Sequence, residues 1–244
     1  MNVHYDDIKH QIKPFDLIAF RGGDLASDLI DYLQKKMLFN GDFTHVGIIV
    51  TSDILTNYKD YYLEDDELYL LESTFSFCQS ITHSTNDVIS NHGRFGVQLK
   101  KLKDVVSTYL YNDKTKIAWC QLQNNPFDDN HKLKLKEDFT QFFNDYYVRH
   151  YDMDPLSLLG AMFPQLRGLR DCKDKMINKI WLKLNKQTNP ALWQFCSELV
   201  ANVYQLIGVI PKDVDCKNVV PMDFFGYDKD GLEAIVNKPI YFIK

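Results

Sequence analysis

Thr44-His45-Val46-Gly47-Ile48-Ile49-Val50 is the stretch from which the rest of the chain can be read. β-Branched residues dominate it, the turn-forming Asn40-Gly41-Asp42 precedes it, and it is short, so it reads as a central strand with His45 at its entrance. Upstream, Phe15-Asp16-Leu17-Ile18-Ala19-Phe20 is an apolar run closed by Gly22-Gly23, a buried strand and a turn. Between these strands, Leu25, Leu29 and Leu33 recur at every fourth position within 24–37, with Asp28 and Asp31 among them, which predicts an amphipathic helix. Downstream, Leu68-Tyr69-Leu70-Leu71-Glu72-Ser73 follows an acidic loop as the next strand, and 96–99, 116–122 and 240–243 supply others. Helices are expected over 133–147, where Leu135, Phe139, Phe142, Phe143 and Tyr146 share a face, and over about 195–207, closed by Gly208 and Pro211. Between them, Pro155, Gly160, Pro164 and Gly168 punctuate the chain before a helical pattern through Met176, Ile177, Ile180 and Leu184. We read this as a helical insertion at about 155–190, able to form a lid or side wall. The irregular order of strands and helices predicts an α+β fold, an antiparallel sheet covered by helices on one side, in one domain spanning 1–244.

Composition narrows the function classes. With 244 residues, 45% of them apolar and 14% aromatic, the chain has ample material for a core, which excludes whole-chain disorder. No apolar run approaches the roughly 20 residues of a membrane-crossing helix. The opening Met1-Asn2-Val3-His4-Tyr5-Asp6-Asp7 has no basic stretch or apolar core of a secretory signal. Five dispersed cysteines, Cys78, Cys120, Cys172, Cys196 and Cys216, contain no CxxC pair and suit free thiols in a reducing, cytoplasmic setting. The net charge of −5 argues against nucleic acid, and Lys132, Lys134 and Lys136 spread around a helix as a solvated face. Gly22-Gly23-Asp24 lacks the lysine of a phosphate loop, and no cysteine or histidine spacing calls for a metal or other cofactor.

Three residues could do chemistry. Cys196 lies near the start of a helix, where unpaired backbone N–H groups and the positive end of the dipole favour a thiolate. Its structural alternative is a core position, since Cys196, Val200, Val203 and Ile207 form an i, i+4, i+7, i+11 stripe. A helix begun a turn earlier, at Asn189-Pro190, would also carry Cys196 away from the dipole's end. His45, at a strand entrance, is held where a base could stand; alone it is as well read as a structural histidine. Glu72 ends the next strand, and from there its carboxylate could take the Nδ1 proton of His45, leaving Nε2 to face the thiol. Its alternative is a strand-end glutamate in water.

The chain resembles the circularly permuted papain-like hydrolases, the YiiX-type branch of the NlpC superfamily, which includes a poxvirus protein. The resemblance rests on Pro14-Phe15-Asp16-Leu17-Ile18-Ala19-Phe20-Arg21, on Thr44 to Val50, on Leu71-Glu72-Ser73, on His150-Tyr151-Asp152-Met153-Asp154 and on Phe195-Cys196-Ser197-Glu198-Leu199-Val200, in the family's order. It implies a permuted papain-like fold, Cys196 as nucleophile, His45 as base and Glu72 as the group orienting it, with Tyr151, Asp16 and Ser197 at the substrate. Phe15 departs from the pattern, standing where the family has glycine.

The expected activity is cleavage of an amide or ester, in a peptide-like or lipid acyl substrate, through a thioacyl enzyme. Acyl transfer to an acceptor other than water is the nearest variant. From another class comes a non-catalytic module, structural or binding a peptide or lipid in the same cleft, with peripheral membrane contact or a place in a virion compatible with either.

Overall fold

In this computed structural model, residues 1–22, 43–55, 57–58, 61–74, 86–90, 96–111, 113–127, 132–147, 150–151, 168, 171, 193–226 and 233–244 are described. The expected helix at 24–37, the insertion at about 155–190, Cys78 and Cys172 lie outside them, Gly168 and Asp171 excepted.

Eleven strands are described: β1 Asn2–His4, β2 Leu17–Arg21, β3 His45–Val50, β4 Asn57–Tyr58, β5 Tyr61–Tyr62, β6 Tyr69–Thr74, β7 Gly96–Lys101, β8 Lys116–Cys120, β9 His150–Tyr151, β10 Trp193–Gln194 and β11 Ile240–Ile243. The described α-helices are α1 Tyr5–Ile8, α2 Leu102–Tyr111, α3 Lys132–Tyr146 and α4 Cys196–Leu206. Seven strands form one sheet in the order β1-β11-β8-β2-β3-β6-β7. All its pairings are antiparallel except β1 with β11, so the α+β expectation holds while the sheet is mixed. No described helix is long and apolar enough to cross a membrane.

The helices cover both faces, which corrects the expectation of one. Because successive side chains of a strand point to opposite sides, the buried strands sort their residues into two clusters. Leu17, Ala19, Val46, Ile48, Val50, Tyr69, Leu71, Ala118 and Cys120 join Phe139 and Phe143 of α3 and Leu199, Val200, Val203 and Tyr204 of α4. Ile18, Phe20, Ile49, Leu70, Ile117 and Trp119 join Tyr5 and Ile8 of α1 and Leu102, Val105 and Val106 of α2. Strands buried on both sides read as continuous apolar runs, which hid the second helical layer from the periodicity.

The β2–β3 pair is framed by two irregularities. At one end, Phe15 N–H donates to Ile49 O and Ile49 N–H to Asp16 O, both at 2.9 Å, so two residues oppose one and Phe15 occupies the left-handed region at φ 67°. This is the bulge position that normally demands glycine. Phe15 is held there by full burial, by edge-on contacts with Phe127 and Phe139, and by Tyr204, whose hydroxyl donates to its carbonyl at 3.0 Å. At the other end, Thr44 N–H donates to Phe20 O at 2.8 Å although Phe20 pairs with His45, again two against one.

Asp16, expected at the substrate, is instead structural. Its carboxylate is fully buried and accepts from Lys13 N (2.9 Å), Trp119 Nε1 (2.8 Å) and Leu122 N (2.9 Å). Burial pushes its carboxyl up, against those three bonds. Both oxygens are engaged in tying the entry of β2 to the end of β8.

Phe15 gives an unusual expectation. Removing a buried phenyl costs about 3–5 kcal/mol, while a left-handed non-glycine residue costs only about 1–2 kcal/mol, so Phe15→Gly destabilises on balance. Phe15→Ala loses the same ring and keeps the strain. Urea denaturation should therefore find Phe15→Ala less stable than Phe15→Gly by about 1 kcal/mol; the reverse order would show that Phe15 is not strained.

Candidate active site

Three elements converge on one thiol. Helix α4 begins at Cys196: Phe195, with φ −75° and ψ 162°, is the extended residue before it and makes no side-chain cap. Trp193 and Gln194 are a strand and Phe195 is extended, so the helix that carries Cys196 begins no earlier than Cys196 itself. Cys196, Val200, Val203 and Ile207 are all buried, so the core stripe is real and Cys196 is its first member. First-turn N–H groups without a cap can serve another acceptor. Here the Ser197 N–H bonds to the thiol of Cys196, joined by the Val46 N–H of β3.

The Val46 contact follows from the sheet. The β3–β6 ladder pairs Val50 with Tyr69, Ile49 with Leu70 and Ile48 with Leu71, and stops there. Ile49 N–H points toward β2, so by alternation Val46 N–H points toward β6, at a position beyond the end of that ladder. The thiol takes the donor. Beyond the ladder, β6 crosses closely over Gly47: a Cβ there would lie 2.7 Å from Leu70 Cδ1, 2.9 Å from Leu71 O and 3.2 Å from Glu72 Cβ. Only a residue without a side chain admits that approach, which carries Glu72 toward His45.

His45 and Glu72 meet at 2.7 Å, Nε2 to Oε2. This reverses the expected orientation, in which Nδ1 faced the carboxylate. Cys196 sits against the β3 backbone, so the near ring nitrogen, Nδ1, is left to hydrogen-bond the thiol, and the far nitrogen reaches Glu72. Phe20, opposite His45 in register, lies against the imidazole at 5.2 Å between ring centres. The other carboxylate oxygen, Oε1, pairs with Lys100 Nζ at 2.9 Å. His45, Glu72 and Lys100 side chains are 14%, 5% and 2% exposed, so all three act in a medium of low polarity.

The charges order themselves accordingly. Burial alone would push the Glu72 carboxyl up; the Lys100 charge and the bond and charge of His45 outweigh it and hold the group down at about 2. Burial alone would pull the His45 imidazole down, but negative charge at Cys196, the bond to it and Glu72 push it up to about 10. Burial likewise raises the Cys196 thiol, and the His45 charge and bond with the Val46 and Ser197 N–H groups bring it below its ordinary value. The other described free thiols move the opposite way: burial pushes Cys120 well up, and burial with Glu198 and Asp215 pushes Cys216 to about 11.

The remaining expected site residues divide. Ser197 is buried and its hydroxyl donates to Val219 O at 2.7 Å, so the side chain anchors the following loop rather than facing a substrate. Tyr151 lies in β9, which pairs in parallel with β10 (His150 with Trp193, Tyr151 with Gln194) and runs beside β6 and β7, one residue from the start of the Phe195-Cys196 turn. Its side chain is outside the description. Lys100 was missed. The strand expected from the sequence ends at Leu99, one residue short of it; the face that Gln98 and Lys100 share is roofed by α2, and they are 1% and 2% exposed.

No group of three or more potential metal ligands occurs among the described residues. Among solved structures, the chain is similar to that of the metalloprotein YiiX from Escherichia coli O157:H7, at 14% identity and a TM-score of 0.43, over 94% of this chain and 88% of that one. No family model matches the chain, and no curated protein does.

Two outcomes follow from this geometry. Gly47→Val should force β6 off β3 and separate Glu72 from His45, and alkylation of Cys196 at neutral pH should fall at least tenfold while the protein stays folded by circular dichroism; unchanged alkylation would mean β6 need not approach. Glu72→Gln leaves the Lys100 charge buried without its partner, a loss of about 3 kcal/mol at pH 7 in urea titrations. Because the folded protein holds this carboxyl below its usual 4.5, its stabilisation is complete above that pH and is lost as pH falls through about 2. The gap between wild type and Glu72→Gln should therefore narrow over that window, and a gap constant with pH would contradict it.

Proposed function

We propose that this protein is a cysteine hydrolase of amide or ester bonds, with Cys196 as nucleophile, His45 as acid and base, and Glu72 as the group that orients and charges the imidazole. One observation carries the reading: of the three buried free thiols among the described residues, the one at a helix start, bonded to an imidazole that is itself bonded to a carboxylate, is the one whose ionisation is favoured. A structural thiol has no use for those partners. The motif order shared with the permuted papain-like hydrolases points to the same chemistry, and three free thiols among the described residues suit a reducing compartment.

The steps balance on these groups. The Cys196 thiolate adds to the carbonyl carbon, forming the C–S bond, while backbone N–H groups of the first turn of α4 face the oxyanion. As the tetrahedral intermediate collapses, the bond to the leaving nitrogen or oxygen breaks, and the proton on His45 Nδ1 goes to that atom. Neutral Nδ1 then takes a proton from water as its oxygen attacks the thioester. Collapse returns the thiolate, the imidazolium and a free acid. Throughout, Nε2–H stays on Glu72, which fixes the ring and favours its charged form.

A pH series of iodoacetamide alkylation, read at Cys196 by peptide mass spectrometry, tests the pair. Thiolate reactivity should already be developed below neutrality, and turnover, which needs the imidazolium proton for the leaving atom, should fall as that proton is lost near pH 10. His45→Ala should return the onset to about 9 or above and lower turnover roughly 10²- to 10⁴-fold on whichever ester, amide or phospholipid substrates the wild type cleaves. Cys196→Ala should abolish it. A Cys196 thiol titrating like a free cysteine, or turnover surviving Cys196→Ala, would defeat the reading; a reactive thiol without turnover on any of the three would favour the binding module.

A further inference from the structure

Lys100 is among the most deeply enclosed side chains of the described protein, and it is a lysine. Long ammonium side chains almost never lie at 2% exposure without a reason, since burying an uncompensated charge costs several kcal/mol. The placement is specific. Leu70 and Lys100 are register partners on β6 and β7, two residues before Glu72 on β6, and all three side chains fall on the face roofed by α2. From there Nζ meets Glu72 Oε1 at 2.9 Å while Oε2 of the same carboxylate meets His45. The carboxylate thus has one partner per oxygen and cannot rotate without breaking an ion pair.

We propose that Lys100 is a positioning residue of this site, whose ammonium locks the Glu72 carboxylate against His45 Nε2 and completes an alternating row of charges, Lys100, Glu72, His45 and Cys196. The inference rests on the reading of Cys196 and His45 as the reacting pair. Its physical basis is charge balance. Ionised Cys196, protonated His45 and ionised Glu72 together carry one net negative charge in a buried place; with Lys100 the row is neutral. The groups acting on Glu72 are Lys100 of β7 and His45 of β3, and those acting on His45 are Cys196 of α4 and Glu72 of β6. The residue facing His45 from β2 is the uncharged Phe20, and opposite Glu72 on β7 stands the neutral Gln98.

Two kinds of role for Lys100 leave different marks. Removing a positive charge makes every remaining proton easier to keep, so both the acid edge, where the thiolate forms, and the alkaline edge, where the imidazolium loses its proton, should rise. Loosening the site and admitting water should instead pull each group toward its ordinary value, raising the acid edge and lowering the alkaline edge. The experiment reads the acid edge from the alkylation pH series at Cys196 and the alkaline edge from the NMR titration of the His45 imidazole, on wild type, Lys100→Met, which keeps the side chain's length without its charge, and Lys100→Arg, which keeps the charge.

Lys100→Met should shift both edges upward, the acid edge by about one pH unit, with Lys100→Arg close to wild type. Unmoved edges, or edges moving toward each other, overturn the proposal while leaving the hydrolase reading intact. A wild-type Cys196 that titrates like a free cysteine defeats that reading instead. If Lys100→Met does not fold, ¹⁵N-lysine labelling of the wild type takes over: a Lys100 ammonium protected from exchange, with nuclear Overhauser contacts to the Glu72 side chain, supports the lock. An ammonium exchanging as fast as exposed lysines refutes it.

Discussion

The carboxylate of Glu72 is the point on which the arrangement turns. It is buried, so it must be compensated twice over, once for its charge and once for each lone-pair direction. Lys100 and His45 do this from the strands on either side, β7 and β3. The neighbour order β3-β6-β7 is therefore a chemical requirement as well as a topological outcome. Register matters as strictly as order. A slip of one residue in β6 would turn Glu72 to the other face, beside Val46 and Ile48 and against α4, and leave both cations buried without it. Apolar packing on the two faces opposes that slip: Leu70 would exchange faces with Leu71 at the same moment. Packing fixes the register, and the register fixes the ion pairs.

The sheet strands were legible because their apolar runs are short, bounded by turns and rich in β-branched residues, and β3 begins and ends where the sequence says it should. The start of α4 was legible from its motif, though not from periodicity, which also allowed a start at Asn189-Pro190. Three features were hidden for one physical reason: they depend on what lies above a strand rather than on the strand itself. Alternation reports which residues share a face, and it cannot tell a roofed face from a wet one. So nothing in the sequence singles out Lys100, Asp16 is expected at the substrate although three donors already claim it, and α2 stands unannounced beside β7. The imidazole's orientation was hidden differently. Which ring nitrogen meets the thiol depends on how close Cys196 lies to the β3 backbone, a distance set by packing between elements some 150 residues apart in the chain.

The two readings of Cys196, core position and reactive thiol, prove to be one arrangement. Val200, Val203 and Tyr204 bury their side chains on the face shared with Val46 and Ile48, which fixes the rotation of α4 about its axis. With the rotation fixed, the first residue of the same stripe can only point at the entrance of β3, where His45 and the Val46 N–H stand. Burial by itself would make that thiol inert, as it does for Cys120. The difference lies in donors delivered to the sulfur: an uncapped helix start and a strand N–H beyond the end of its ladder. Each is a donor left over in its own element, and the sulfur of Cys196 accepts from both.

The bulges at either end of the β2–β3 pair extend this logic to His45. A bulge adds a residue to one strand, increases local twist and re-aims the side chain beside it. The bulge of Thr44 and His45 against Phe20 therefore sets the direction of the imidazole, and the bulge of Phe15 and Asp16 against Ile49 closes the same ladder four residues along β3. Between them only a few paired residues remain, so neither bulge can migrate without unpairing the segment. The second bulge holds a phenylalanine where glycine would be free of strain, at a cost of about 1–2 kcal/mol. That cost is offset by the ring's own burial between Phe127 and Phe139 and by the Tyr204 bond, which links the bulge directly to α4. Helix α4 thus grips the β2–β3 pair at both ends, through Tyr204 at the Phe15 bulge and through Cys196 at the His45 entrance. A shift of β3 along its axis must break both grips together, and this makes the separation between thiol and imidazole a property of the whole strand pair rather than of two side chains.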